Sequence, residues 1–162
     1  MKLSLVLALA SGCLSATMPP AVTGGMTMTP QIVQAAGTHA FSAPYDRVFA
    51  AVANALQSEG FPIAISNSSE GMIKTGQKLI RTEAVSAADY RGNGYGTMTT
   101  AEITRQYVIR IHASGDTTVV IAEPRIFEGN AELSGQPIWD LDGPEGERNL
   151  WQRLFRDISE AL

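Results

Sequence analysis

The sequence predicts an α+β fold: a two-layer sandwich, with an antiparallel sheet covered on one face by two helices in the helix-grip manner. Three observations carry this expectation. Two segments, one after Pro44 and one at the C-terminal end, place apolar residues at helical spacing. Between them lie runs that alternate apolar and polar residues with a period of two. Short turns rich in Gly, Ser, Asn and Asp join these runs, and such short connections require antiparallel neighbours. The 162 residues make one ordinary domain, and 44% hydrophobic against 17% charged residues supply a core.

Each element has its own signal. Residues 38–42 read as a strand with His39 and Phe41 on one face. Ser42 is a candidate N-cap for the helix that follows, Pro44 suits its first turn, and Asp46 complements the helix dipole. Val48, Val52, Ala55 and Leu56 fall at i, i+4, i+7 and i+8, with Gly60 and Phe61 as a Schellman stop after Glu59. Phe61, Ile63 and Ile65 alternate as a strand, 67–71 turns the chain, and a second strand runs from Met72 to about Ile80. In it Ile73, Thr75 and Leu79 share one side, and Lys74 and Lys78 the other. Residues 81–96 break the pattern, with Arg91-Gly-Asn-Gly-Tyr-Gly96 as a loop. Strand character returns at Thr97, and Ile103, Tyr107, Ile109 and Ile111 share a face. Ser114-Gly115-Asp116 turns into a strand over 117–127, and 128–146 is acidic and turn-rich. The last helix begins near 144–147 and runs to Leu162, with Leu150, Trp151, Leu154, Phe155, Ile158 and Leu162 as its stripe. Trp139 and Trp151 are expected in the core.

The N-terminus reads as an address. Met1-Lys2 is a short positive start, residues 3–10 are apolar apart from Ser4, and small residues precede Cys13, the only cysteine. The apolar run spans about 12 Å as a helix, against a hydrocarbon core of about 30 Å, so it is no transmembrane span. Leu9-Ala-Ser-Gly-Cys13 resembles the lipobox of bacterial lipoproteins. That resemblance implies acylation of Cys13 after removal of residues 1–12, and Leu14 in place of Asp implies the outer membrane, with the protein facing the periplasm. Residues 13–37 carry no charge and contain Pro19-Pro20, Gly24-Gly25 and Pro30, so a flexible tether is expected there, with a single globular domain over 38–162.

Ser42-Ala-Pro-Tyr-Asp-Arg-Val-Phe-Ala-Ala-Val52, Leu56 with Gly60-Phe61, Ile65 with Gly71-Met-Ile-Lys-Thr75, and Trp151, Leu154 and Ile158 together resemble the helix-grip domains of envelope lipoproteins. BamC, an outer-membrane assembly lipoprotein family, is the nearest likeness. It implies a non-catalytic scaffold or protein-binding role and supplies no catalytic residues.

The chemistry-bearing residues point the same way. A net charge of −4 and a pI near 5.1 argue against nucleic-acid binding by bulk electrostatics. One Cys and two His leave no thiolate-rich metal site, so no metal or cofactor is expected. The glycines at 92, 94 and 96 do not have dinucleotide-fingerprint spacing. No Gly-x-Ser-x-Gly or His-Glu-x-x-His occurs, and no enzyme activity is expected. Tyr90, Arg91 and Tyr95 are the candidate partner-binding residues, by stacking and anion pairing. Asp140, Asp142, Glu145 and Glu147 read as a solvated loop leading into an acidic helix start. They support an enzyme acting on cell-wall material only if two of them face each other across a cleft. The expected partners are the membrane, through acylated Cys13, and another envelope protein. The alternative is a hydrophobic small molecule or lipid in a cavity lined by Phe49, Ile63, Ile109 and Trp151.

Overall fold

A computed structural model describes residues 25–87, 97–137, 139–143 and 146–162 of the protein. In chain order the elements are α1 (Pro30–Ala36), β1 (Thr38–Phe41), α2 (Tyr45–Ser58), β2 (Ile63–Asn67), β3 (Met72–Thr75), β4 (Lys78–Ala87), β5 (Thr97–Ser114), β6 (Thr117–Glu128), β7 (Ala131–Glu132) and α3 (Glu147–Glu160). The described strands form one antiparallel sheet in the order β1-β6-β5-β3-β2, with β4 also on β5 and β7 on β6. The fold is the α+β sheet-and-helix sandwich that the periodicities predict.

Alternation sets the two faces. Along β6, Thr118, Val120, Ala122, Pro124 and Ile126 are buried, and the residues between them are only partly so. Val120 and Ala122 join Ile73, Tyr107, Ile109 and Ile111 of the other strands. Against this face pack Val48, Val52, Ala55 and Leu56 of α2 and Trp151, Leu154 and Ile158 of α3. Trp151 is anchored at both ends of its chemistry: the ring is 1% exposed, and its indole N–H donates to the Ala122 carbonyl at 3.0 Å. Trp139 belongs to a smaller cluster with Ile103 and Ile126.

The sheet centres on β5, and β3 and β4 lie end to end along one of its edges. Met72–Lys74 face Arg110–Val108, and Lys78–Ala87 face Arg105–Thr97. Thr75 joins the two ladders. It is fully buried; its hydroxyl accepts the Tyr107 N–H and its carbonyl accepts from the Gln106 side-chain amide, both at 2.8 Å. Gly76 leaves this line and donates to the Pro62 carbonyl.

Four expectations are corrected. The tether expected over 13–37 is packed structure over its described part. Met26 pairs with Trp139 through two backbone hydrogen bonds, and Thr29 caps α1 with Pro30 in its first turn. Val33 is buried, and the Gly37 carbonyl accepts from Ala122 N–H at 2.7 Å. With no charge to desolvate, this segment lies against the edge of β6 without electrostatic penalty. Ser42 is not the cap of α2: Pro44 occupies that position and no side chain caps the helix. Leu79 does not share the side of Ile73 and Thr75: the chain leaves the ladder at Gly76-Gln77 and rejoins it with Lys78 opposite Arg105 and Leu79 opposite Thr104, which leaves Leu79 52% exposed. Residues 81–87 continue a strand rather than breaking one.

The turn into β3 tests the packing. Gly71 sits at φ +64, its carbonyl accepts the Ile111 N–H at 2.7 Å, and a Cβ there would lie 2.0 Å from the Ile111 carbonyl oxygen. Gly115, at φ +60, has open space around it. Gly115→Ala is expected to cost about 1 kcal/mol, the left-handed backbone penalty alone. Gly71→Ala is expected to cost upward of about 3 kcal/mol, because the ladder must also shift. Chemical denaturation of the two variants reads the difference; equal losses would contradict this packing.

Candidate functional site

Along β5 the alternate positions Ile103, Arg105, Tyr107, Ile109 and Ile111 are buried, so an arginine occupies an apolar slot. Arg105 is 8% exposed, and the partner that admits it is Glu147, the first residue of α3 and itself 0% exposed. Arg105 Nε lies 3.2 Å from Glu147 Oε2, and the Tyr107 hydroxyl donates to Glu147 Oε1. The Nε–Oε2 pair is close enough for ion pairing but poorly aligned, and neither atom has a hydrogen-bond partner. The helix N-terminus adds favourable potential to the carboxylate. Burial pushes the Glu147 carboxyl pKa upward, and the Arg105 charge and the Tyr107 hydrogen bond oppose that shift. Burial, and then the Glu147 charge, hold the Tyr107 phenol well above its ordinary value, so it stays a neutral donor. Glu147 and Tyr107 are closed to solvent, Arg105 nearly so, and the cluster fastens α3 to β5.

Immediately outside it lies a crevice of about 270 Å³, walled by β4, β5 and α3. Its cations are Lys78, Arg81, Arg105 and Arg153; its one carboxylate is Asp140; Phe61, Leu79, Ile80, Ile126 and Leu150 supply apolar wall. Lys78 stands directly across the ladder from Arg105. Its ammonium donates to the Glu59 carbonyl and lies 4.8 Å from the centre of the Phe61 ring. Phe61 in turn meets Tyr107 edge-on at 5.0 Å. A second, more open groove of about 400 Å³ runs beside α1, between Met28, Pro30 and Val33 on one side and Arg110, Ile121 and Glu123 on the other.

The residues expected to carry function fall elsewhere. Cys13, Tyr90, Arg91 and Tyr95 lie outside the described residues, as does Glu145. Asp140 and Asp142 are exposed, and Asp142 pairs with Arg148 at 2.7 Å. Glu147 departs from the solvated helix start expected of it. His39 stacks on Phe155 at 5.3 Å, and His112 is exposed. Among the described residues no group of three or more His, Cys, Asp or Glu can hold a metal ion. Phe49, Ile63, Ile109 and Trp151 line none of the described pockets, and the void beneath Leu56, Tyr107 and Leu154 is about 10 Å³. The four cations of the crevice went unread in the sequence. The available signal was Arg105, which interrupts the alternation of Ile103, Tyr107, Ile109 and Ile111 and so asks for a buried acid.

No protein-family model and no curated protein matches the chain. Among solved structures it is similar to a DUF4468 family protein from Bacteroides ovatus ATCC 8483. The identity is 12%, over 76% of this chain and 77% of that one, with a TM-score of 0.34, too low a likeness to carry an argument.

The direction of the Glu147 shift fixes a pH dependence. Its folded-state pKa lies above the ordinary value of 4.5, so the folded protein holds the proton more tightly than the unfolded chain. As pH falls from neutral toward that ordinary value, this residue's contribution to stability rises. Glu147→Gln removes the titration, so the stability of the wild type relative to this variant should improve over the same descent. Denaturation curves of both proteins measure it; a parallel pair of pH profiles would contradict the shift.

Proposed function

We propose that this protein is a lipid-anchored component of the bacterial cell envelope whose folded domain binds another envelope component and performs no covalent chemistry. The observation that carries the reading is Leu9-Ala-Ser-Gly-Cys13, with the chain's only thiol at the position that acylation requires. The anchor would be the acylated Cys13, the membrane the outer membrane, and the side the periplasm. Acyl chains contribute about 0.8 kcal/mol per buried methylene, so more than one chain gives durable attachment. None of the helices among the described residues is long and apolar enough to cross a membrane, which is compatible with attachment by lipid.

The binding role draws support from the site. Glu147 and Tyr107 at the start of α3 are closed to solvent, whereas the cationic crevice, which Arg105 lines, and the groove beside α1 are open to a partner. The void beside Leu56 and Tyr107, about 10 Å³, is itself too small to hold a lipid. Tyr90, Arg91 and Tyr95, which fall between β4 and β5 in the sequence, are a second candidate contact.

Cells expressing the wild type and Cys13→Ser, grown with radioactive palmitate, test the anchor. The wild type should take up label and the variant none. Equal labelling, or none in either, would defeat the proposal.

A further inference from the structure

We propose that the crevice between β4 and the start of α3 binds a small amphiphilic organic anion, its carboxylate among Lys78, Arg81, Arg105 and Arg153 and its apolar tail against Ile126 and Leu150. This inference stands apart from membrane anchoring and goes beyond it, naming a ligand class for a site at which no sequence motif points.

The first observation is the balance of charge on the wall. Four cations and one carboxylate line the crevice. The acids that neutralise the arginines are absent from the lining: Glu147 for Arg105, Glu83 for Arg81, and Glu59, at 3.4 Å, for Arg153. Lys78 has no carboxylate partner among the described residues. It donates to a backbone carbonyl and rests on an aromatic ring. The second observation is register. Lys78 and Arg105 are directly opposed across an antiparallel ladder, an arrangement that like charges disfavour and that an anion between them relieves. The third is the buried guanidinium: Arg105 is held from behind by Glu147, yet the same side chain forms part of the crevice wall. A preset arginine of this kind suits the planar fork of a carboxylate.

The remaining wall limits the ligand. Half of the residues that line the crevice are apolar, so a bare inorganic ion leaves that surface unused. Asp140 on the exposed rim trims the excess of positive charge, which favours a monoanion over a phosphate dianion. The volume, about 270 Å³, is near the lower end of small-molecule sites and fits a medium-length acid.

The full chain carrying Cys13→Ser, free of acyl groups, is titrated with octanoate, octylammonium and inorganic phosphate while the methyl NMR signals of Leu79, Ile126 and Leu150 are followed. Octanoate should shift these signals saturably, and added salt should weaken it. Arg153→Ala and Lys78→Met should each weaken it by about threefold or more, with the rest of the spectrum unchanged. The proposal is overturned by absent shifts, by octylammonium acting equally, by phosphate binding as tightly as octanoate, or by shifts confined to the groove beside α1. Loss of palmitate labelling at Cys13 leaves this result untouched, so the two readings fail separately.

Discussion

One carboxylate fixes how the two layers meet. Glu147 begins α3 without solvent contact; Tyr107 of the central strand donates to one of its oxygens, and Arg105 of the same strand pairs with the other by charge. An ionised acid in that position is tolerable only with a cation at hand, so the register of α3 on β5 is specified rather than left to the apolar stripe. Leu, Ile and Trp contacts can slide by a turn at modest cost; a buried ion pair cannot. From this fastening follow the place of Trp151 under Ala122 and the closeness of Leu150 and Arg153 to β4.

The same fastening shapes the exterior. Because Glu147 holds Arg105 from the helix side, the guanidinium is fixed where β4 passes. Because Thr75 splices two ladders onto one edge of β5, Lys78 stands opposite Arg105. The register shift after Leu79 then brings Arg81 opposite Ile103, on the crevice wall. A cationic crevice with an apolar wall is thus a consequence of how the core is joined. It is rigid because its arginine belongs to the core, and open because its lysine does not.

Much of this fold could be read directly. The i, i+4, i+7 pattern of Val48, Val52 and Ala55, the stripe through Trp151 and Ile158, and the hairpin around Gly71 all rest on local periodicity, which packing then reinforces. What escaped reading depends on distant partners. Glu147 has the sequence context of an exposed first-turn acid, and its burial follows from a residue forty-two positions earlier on another element. Leu79 keeps the alternation in sequence and loses it in space, because the chain leaves the ladder at Gly76-Gln77 and rejoins it with Leu79 opposite Thr104. The segment 26–37 lacks any period, yet Thr29-Pro30 is a sound helix start, and the absence of charge is what lets it lie against β6. Ser42 had the chemistry of a cap, but Pro44 took the position. The crevice was invisible for the same reason as Glu147: its four cations come from β4, β5 and α3, and no spacing in the chain connects them.

A double-mutant cycle on Arg105 and Glu147 tests the fastening most directly. Arg105→Leu, Glu147→Leu and the double variant are unfolded in denaturant at neutral pH. If the pair is buried and coupled as described, Arg105→Leu should lose about 3 kcal/mol or more by stranding the carboxylate, and the double variant should recover most of that loss. Additive losses, or a single change that costs nothing, would mean that α3 is held by its apolar stripe alone.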